Sequence, residues 1–196
     1  MGIADWLGMG KDPVLDALMQ TYALKSTRRG QAQGHAHGQA LHLSADKDGS
    51  GCTGIEVKLG ECAMDPCFGF YRPRDEDFSE AVDFGPGWFE SFQNGTPVRI
   101  GRFVIDFEGE PYWEPLIEHH GAAMAGYLDR YSQALHWVYL SFPGLSFDLR
   151  EQAPGGWKRA ADLKALERDI ATSASLLEFV RKAAADEGVP PVASAY

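Results

Sequence analysis

The chain has 196 residues, 44% of them hydrophobic and 12% aromatic, enough for one core of ordinary size plus appendages and too little for two comfortable domains. Its 28 acidic against 18 basic residues leave a formal charge of -10, which repels phosphate backbones and anionic headgroups and excludes nucleic acid as an expected direct partner. No apolar run reaches the roughly 18 residues of a membrane-spanning helix, so no membrane span is expected.

Cys52, Cys62 and Cys67 are an odd count, and the start MGIADWLGMGKDPV lacks the basic and apolar stretches of a secretory leader. Trp6 stands where a myristoylation signal takes Ser or Thr. The expected compartment is the cytoplasm, with the thiols reduced.

In chain order, Ile3 and Leu7, then Val14, Leu15, Leu18, Met19 and Tyr22, recur at three- and four-residue steps broken near Gly8 and Gly10. That spacing predicts a short and a longer amphipathic helix in an N-terminal segment, residues 1–30, with Asp12 as N-cap and Pro13 at the first helical position. From residue 31 the period changes to two. His35, His37, Gln39, Leu41 and Leu43 fall on one side of a strand, and Ile55, Val57 and Leu59 alternate with Glu56 and Lys58 on a second. The turn-rich DKDGSG between them makes a hairpin.

A third strand runs from Phe68 to Tyr71. The stretch from Arg72 to Thr96 reads as a loop whose Phe78, Phe84, Trp88, Phe89 and Phe92 cover the sheet. Phe103, Ile105 and Phe107 alternate with Arg102, Val104 and Asp106 in a half-buried strand. A helix opens at Pro115, because Ile117, His120, Met124, Leu128 and Tyr131 recur at helical spacing. ALHWVYLSF, the Pro143-Gly144 turn and Leu145, Phe147 and Leu149 read as a second hairpin, with extension of the helix to Tyr139 as the alternative.

After the linker QAPGG, residues 157–187 form a helix with Leu163, Leu166, Ile170, Ser173, Leu177, Val180 and Ala184 in a heptad-like seam, and residues 188–196 are an aperiodic tail. The expected fold is therefore α+β. A core at residues 31–152 holds an antiparallel sheet of about five or six strands with helices on one face, and helical extensions stand at both ends.

Chemistry is thinly marked. His35 and His37, two apart on a strand, offer two imidazoles to one metal ion, with His119 or a cysteine as a third ligand, yet no C-x-x-C and no H-E-x-x-H accompanies them. Glu114 and Glu118 lie one turn apart, as paired carboxylates do, and equally as the wet face of a helix does. No phosphate cradle and no nucleophile elbow is present, so no catalytic residue is assigned and no cofactor is expected.

The remaining signals are surfaces. Residues 73–118 hold eleven acids against Arg74, Arg99 and Arg102, interleaved with aromatics. Asp75, Glu76 and Asp77 with Trp88, Phe89, Tyr112 and Trp113 are the candidate docking surface. Leu163, Leu166, Ile170 and Leu177 are a stripe that a neighbouring chain or the chain's own sheet can cover. The expected function is a non-catalytic protein-binding accessory, assembly or inhibitor-like subunit, whose partner is another protein or a copy of itself. The alternatives are a small metal-dependent enzyme using His35 and His37, and a homo-oligomeric structural protein.

Overall fold

The structure, a computed structural model, describes residues 13–28, 30–47, 53–60, 68–72, 79–106, 113–133, 135, 137–141, 144–148, 150–153, 156–159 and 163–188. In chain order the elements are α1 (Pro13–Thr21), β1 (Lys25–Arg28), β2 (Gln31–Ala36), β3 (Gln39–Lys47), β4 (Thr53–Leu59), β5 (Phe68–Tyr71), β6 (Val82–Asp83), α2 (Trp88–Gln93), β7 (Val98–Ile100), β8 (Phe103–Asp106), α3 (Trp113–Leu128), β9 (Trp137–Ser141), β10 (Gly144–Asp148), β11 (Arg150–Ala153), β12 (Gly156–Arg159) and α4 (Leu163–Asp186). The protein is α+β with helices near both ends, as its sequence predicts.

Among the described residues the strands form one sheet in the order β1-β2-β3-β4-β10-β9-β5-β8-β7-β6, with β11 and β12 as a separate two-stranded ribbon. The expected count of about five or six strands is corrected: the sheet has ten, paired antiparallel as expected except that β6 runs parallel to β7. The β9–β10 hairpin does not follow β8 in space. It inserts between β4 and β5, so its two strands have neighbours on both sides and no free edge.

The inserted hairpin is held by register. Leu43, Val57, Phe147, Val138, Phe70 and Ile105 are successive cross-strand partners, one row across six strands. Because side chains alternate between the faces of a sheet, fixing this row fixes every other. The described side chains of the row are 3% exposed or less. They share one hydrophobic cluster with Leu15 and Leu18 of α1, Trp88 of α2, Leu116, Ile117 and Met124 of α3, and Leu166, Ile170 and Leu177 of α4. All four described helices therefore cover the same face.

At about 25 cal/mol per Å² of apolar surface, this common burial is the main stabilising term of the fold. One close contact shapes it. The ring of Phe84 lies directly on Gly121 of α3, where a Cβ would stand 2.4 Å from its Cζ.

Four local expectations are corrected. The strand carrying His35 to Leu43 is two strands, β2 and β3, joined at His37 and Gly38, both with left-handed backbone (φ 50 and 77). Two consecutive left-handed residues give the tight turn whose twist matches a hairpin. The expected loop from Arg72 to Thr96 contains α2, whose Trp88 and Phe92 are one turn apart and both pack toward the core. Val98–Ile100 adds a strand before the predicted one, turning at Gly101-Arg102. Gln152, Ala153 and Gly156 of the expected linker lie in β11 and β12, and Trp157 pairs with Gln152, so the last helix begins at Leu163 and not at Trp157.

The helix opening at Pro115 begins two residues earlier, at Trp113, and ends at Leu128, and residues 137–141 are a strand that does not continue it. Ile3, Leu7, the expected N-cap Asp12, the DKDGSG tip, the three cysteines, Phe78, Phe107, Leu149 and residues 189–196 lie outside the described residues. Among those described, no helix is long and apolar enough to cross a membrane.

Candidate functional site

With every described helix on one face, the other face of the sheet is set by the alternate residues of the same strands. His42, Ser44, Glu56, Lys58, Tyr71, Arg99, Val104, Trp137 and Tyr139 occupy it, offset by one from the core rows, with Ser44 and Val104 buried and the others partly exposed. Tyr71 and Trp137 are direct cross-strand partners with ring centroids 5.5 Å apart. Trp137 and Tyr139, two apart on β9, are stacked at 6.1 Å and 8°. All three are half-buried. Lys58 and Glu56 pair at 3.0 Å on β4, separated from the aromatic strands only by β10. This face carries an aromatic row beside a charged one.

Behind the sheet, the loop after α3 is tied to α4 and to β5 through buried polar groups. Asp169, wholly buried on α4, accepts from the Ser132 N–H (2.7 Å) and from the Ser132 hydroxyl (2.5 Å). Burial pushes its carboxyl above the usual range, against the opposing pull of those hydrogen bonds. The Tyr131 hydroxyl and Ser173 Oγ are 2.7 Å apart, and burial raises the phenol. Arg72, the residue after β5, donates from Nη1 to the Ser132 carbonyl (2.9 Å) and Gln133 Oε1 (3.2 Å) and lies 4.9 Å over the Phe103 ring.

Arg102 donates to the carbonyls of Asp129 and Tyr131, and Asp129 Oδ1 accepts from its backbone N–H. Arginine donors on the carbonyls that follow a helix C-terminus are a favourable cap. A third polar cluster ends α4: His119 Nδ1 and His120 Nε2 lie 2.8 and 3.2 Å from one oxygen of Glu187.

The sequence-derived sites separate in space. His35 is exposed on β2, on the face away from the helices, whereas His37 sits in the turn, its ring centroid 5.9 Å from that of Tyr22 in an edge-on arrangement. The expectation that both imidazoles project from one strand face is corrected, because the turn ends the strand between them. His119 belongs to the Glu187 cluster on α3. Among the described residues no three His, Cys, Asp or Glu side chains are placed to hold a metal ion.

Two of the docking anchors are corrected as well. Trp88 and Trp113 are 2% and 0% exposed, inside the core. Trp88 packs against Phe84, Phe89 and Phe92 and donates its indole N–H to Glu118. Phe89 is half-buried, and Asp75, Glu76, Asp77 and Tyr112 lie outside the described residues.

The α4 stripe is covered by the chain itself: Leu166, Ile170 and Leu177 are at most 1% exposed, and Leu163 packs at the margin of the same core. Thr21 Oγ1 donates to Glu167 at 3.1 Å and Arg181 to Gln39 at 2.6 Å, tying both ends of the helix down. The seam is therefore not available to a second chain.

Sequence reasoning missed Tyr71, Trp137 and Tyr139 as a unit, although alternation alone puts Trp137 and Tyr139 opposite the apolar Val138 and Leu140. Comparison with protein-family models, with curated proteins and with solved structures gives no match.

Proposed function

We propose that this chain is a non-catalytic protein-binding subunit, of accessory, assembly or inhibitor-like type, that takes its partner on the face of the sheet that no described helix covers. The observation that carries this reading is the contiguous row Tyr71–Trp137–Tyr139, three half-buried rings on a face that no described helix covers. Large aromatic side chains beside charged ones are the composition of protein–protein hot spots. A charge of -10 disfavours phosphate backbones as the partner. Asp75, Glu76 and Asp77 follow Tyr71 by four to six positions and add negative charge next to this row in sequence, which favours a partner with basic groups.

The test is recovery of the partner on tagged protein from the native host, with the Trp137→Ala/Tyr139→Ala double variant beside the unaltered chain. The double variant should retain its cooperative unfolding and lose at least tenfold of the specifically recovered protein, on the order of a hot-spot loss. Glu178→Ala, on the exposed side of α4, should recover it in full. Equal recovery by a folded double variant sinks the reading.

A further inference from the structure

The Arg72 guanidinium is held more firmly than capping the loop requires. Nη1 is fixed by the Ser132 carbonyl and Gln133, and the plane lies on Phe103. Nε and Nη2 are enclosed by protein and have no hydrogen-bond partner among the described residues. These are the two nitrogens of one edge, and their N–H groups run parallel, the fork that takes both oxygens of a carboxylate or two oxygens of a phosphate. A buried donor with no acceptor is costly, and more so when charged, so two on one edge call for a counterpart.

Its charged neighbours are one guanidinium, Arg102, and two carboxylates, Asp169 and Asp129. Burial, and after it the like charge of Arg102, brings the Arg72 guanidinium down to about 10 despite the opposing pull of Asp169 and Asp129. Neither carboxylate closes the fork. Both Asp169 oxygens accept from Ser132, and Asp129 is taken by Arg102. Capping accounts for all the Arg102 contacts and for Nη1 of Arg72, but not for the Nε/Nη2 edge. Arg102 and Asp129 have side chains 37% and 50% exposed, so their part of the cluster reaches the surface.

We propose that the Nε/Nη2 edge of Arg72, with Arg102 beside it, is a binding site for one small oxyanion of the carboxylate or phosphate class. The site is independent of the protein-binding face, since Arg72 and Phe103 lie on the helix side of the sheet.

The experiment follows the Arg72 Nε–H signal in ¹⁵N–¹H spectra of the full chain while inorganic phosphate, acetate or chloride is added at constant ionic strength. Arg72→Lys, which keeps the charge but not the fork, identifies the signal. A saturable shift with phosphate or acetate, absent with chloride, is expected, and the more tightly bound anion names the class. The paired thermal stabilisation should fall at least tenfold in apparent affinity in Arg72→Lys and weaken in Arg102→Gln.

A response that is linear in anion, or equal in folded Arg72→Lys, overturns the proposal. So does saturation seen only in Asp75→Asn/Glu76→Gln/Asp77→Asn, which would assign the fork to a carboxylate of the chain itself.

Discussion

Ser132 and Asp169 are joined twice, backbone N–H to Oδ1 and hydroxyl to Oδ2, so one buried carboxylate fixes both the position and the side-chain rotation of the loop that leaves α3. Removing the carboxylate leaves a buried N–H and hydroxyl unsatisfied beside Arg72. Asp169→Ala should therefore destabilise the protein by about 2–4 kcal/mol in denaturant unfolding, whereas Asp169→Asn, which keeps one acceptor, should cost less.

The same pair gives a pH dependence of defined sign. Burial raises Asp169 above its unfolded value, so the folded state binds this proton more tightly than the unfolded chain does. Its favourable contribution is complete below the ordinary carboxylate value near about 3.9 and is lost as pH rises through the raised folded value. The stability of Asp169→Asn relative to the unaltered chain should accordingly improve with rising pH across that window. A difference that is flat, or that falls, would contradict the assignment.

Two glycines of α3 separate packing from helix propensity. At Gly126 nothing lies within 4 Å of a built Cβ, so Gly126→Ala should gain about 0.5–1 kcal/mol from reduced freedom of the unfolded chain. At Gly121 the same methyl would meet the Phe84 ring at 2.4 and 2.7 Å. Gly121→Ala should lose about 1–3 kcal/mol by forcing Phe84 out of its seat. Opposite shifts in melting temperature for the two variants are the expected result, and matching shifts would refute the contact.

How far these features were legible depended on whether one period dominated. Val57 sits in a strand of undisturbed alternation, and at Val138 aromatic and β-branched content favours strand over the longer helix. The central position of the β9–β10 hairpin was not legible, because nothing local distinguishes a strand that pairs with its sequence neighbour from one that also pairs with β4. Trp88 and Trp113 read as surface anchors because acids surround them in sequence, yet both point inward from helices whose charged residues face out. The α4 stripe was equally consistent with a partner in cis or in trans, and the sheet covers it.

The His37-Gly38 turn tests why one such signal was missed. A hairpin turn of this kind ordinarily carries Asn-Gly or Asp-Gly, and histidine at its first central position masked it. Gly38 has φ 77 with open space around a built Cβ, so its role is conformational and not steric. Gly38→Ala should cost about 1–2 kcal/mol, and Gly38→Asn, which tolerates the left-handed region, about half as much. Equal costs would point to a steric cause instead.

The last expectation concerns the end of α4. Hydrogen bonding from His119, followed by its charge and by His120, holds the Glu187 carboxyl below the usual range. A depressed acid contributes stability above its unfolded value and loses it as pH falls through the lower folded one. The gap between the unaltered chain and Glu187→Gln should thus be open above about pH 4.3 and close on further acidification. Because both imidazoles reach the same oxygen, His119→Ala should remove most of the effect and His120→Ala the smaller part. Amide exchange in the final turn of α4 reads this locally. Acceleration there in Glu187→Gln at neutral pH, vanishing in acid, is the expected pattern, and acceleration that persists in acid would show that the carboxylate is not what fastens the helix to α3.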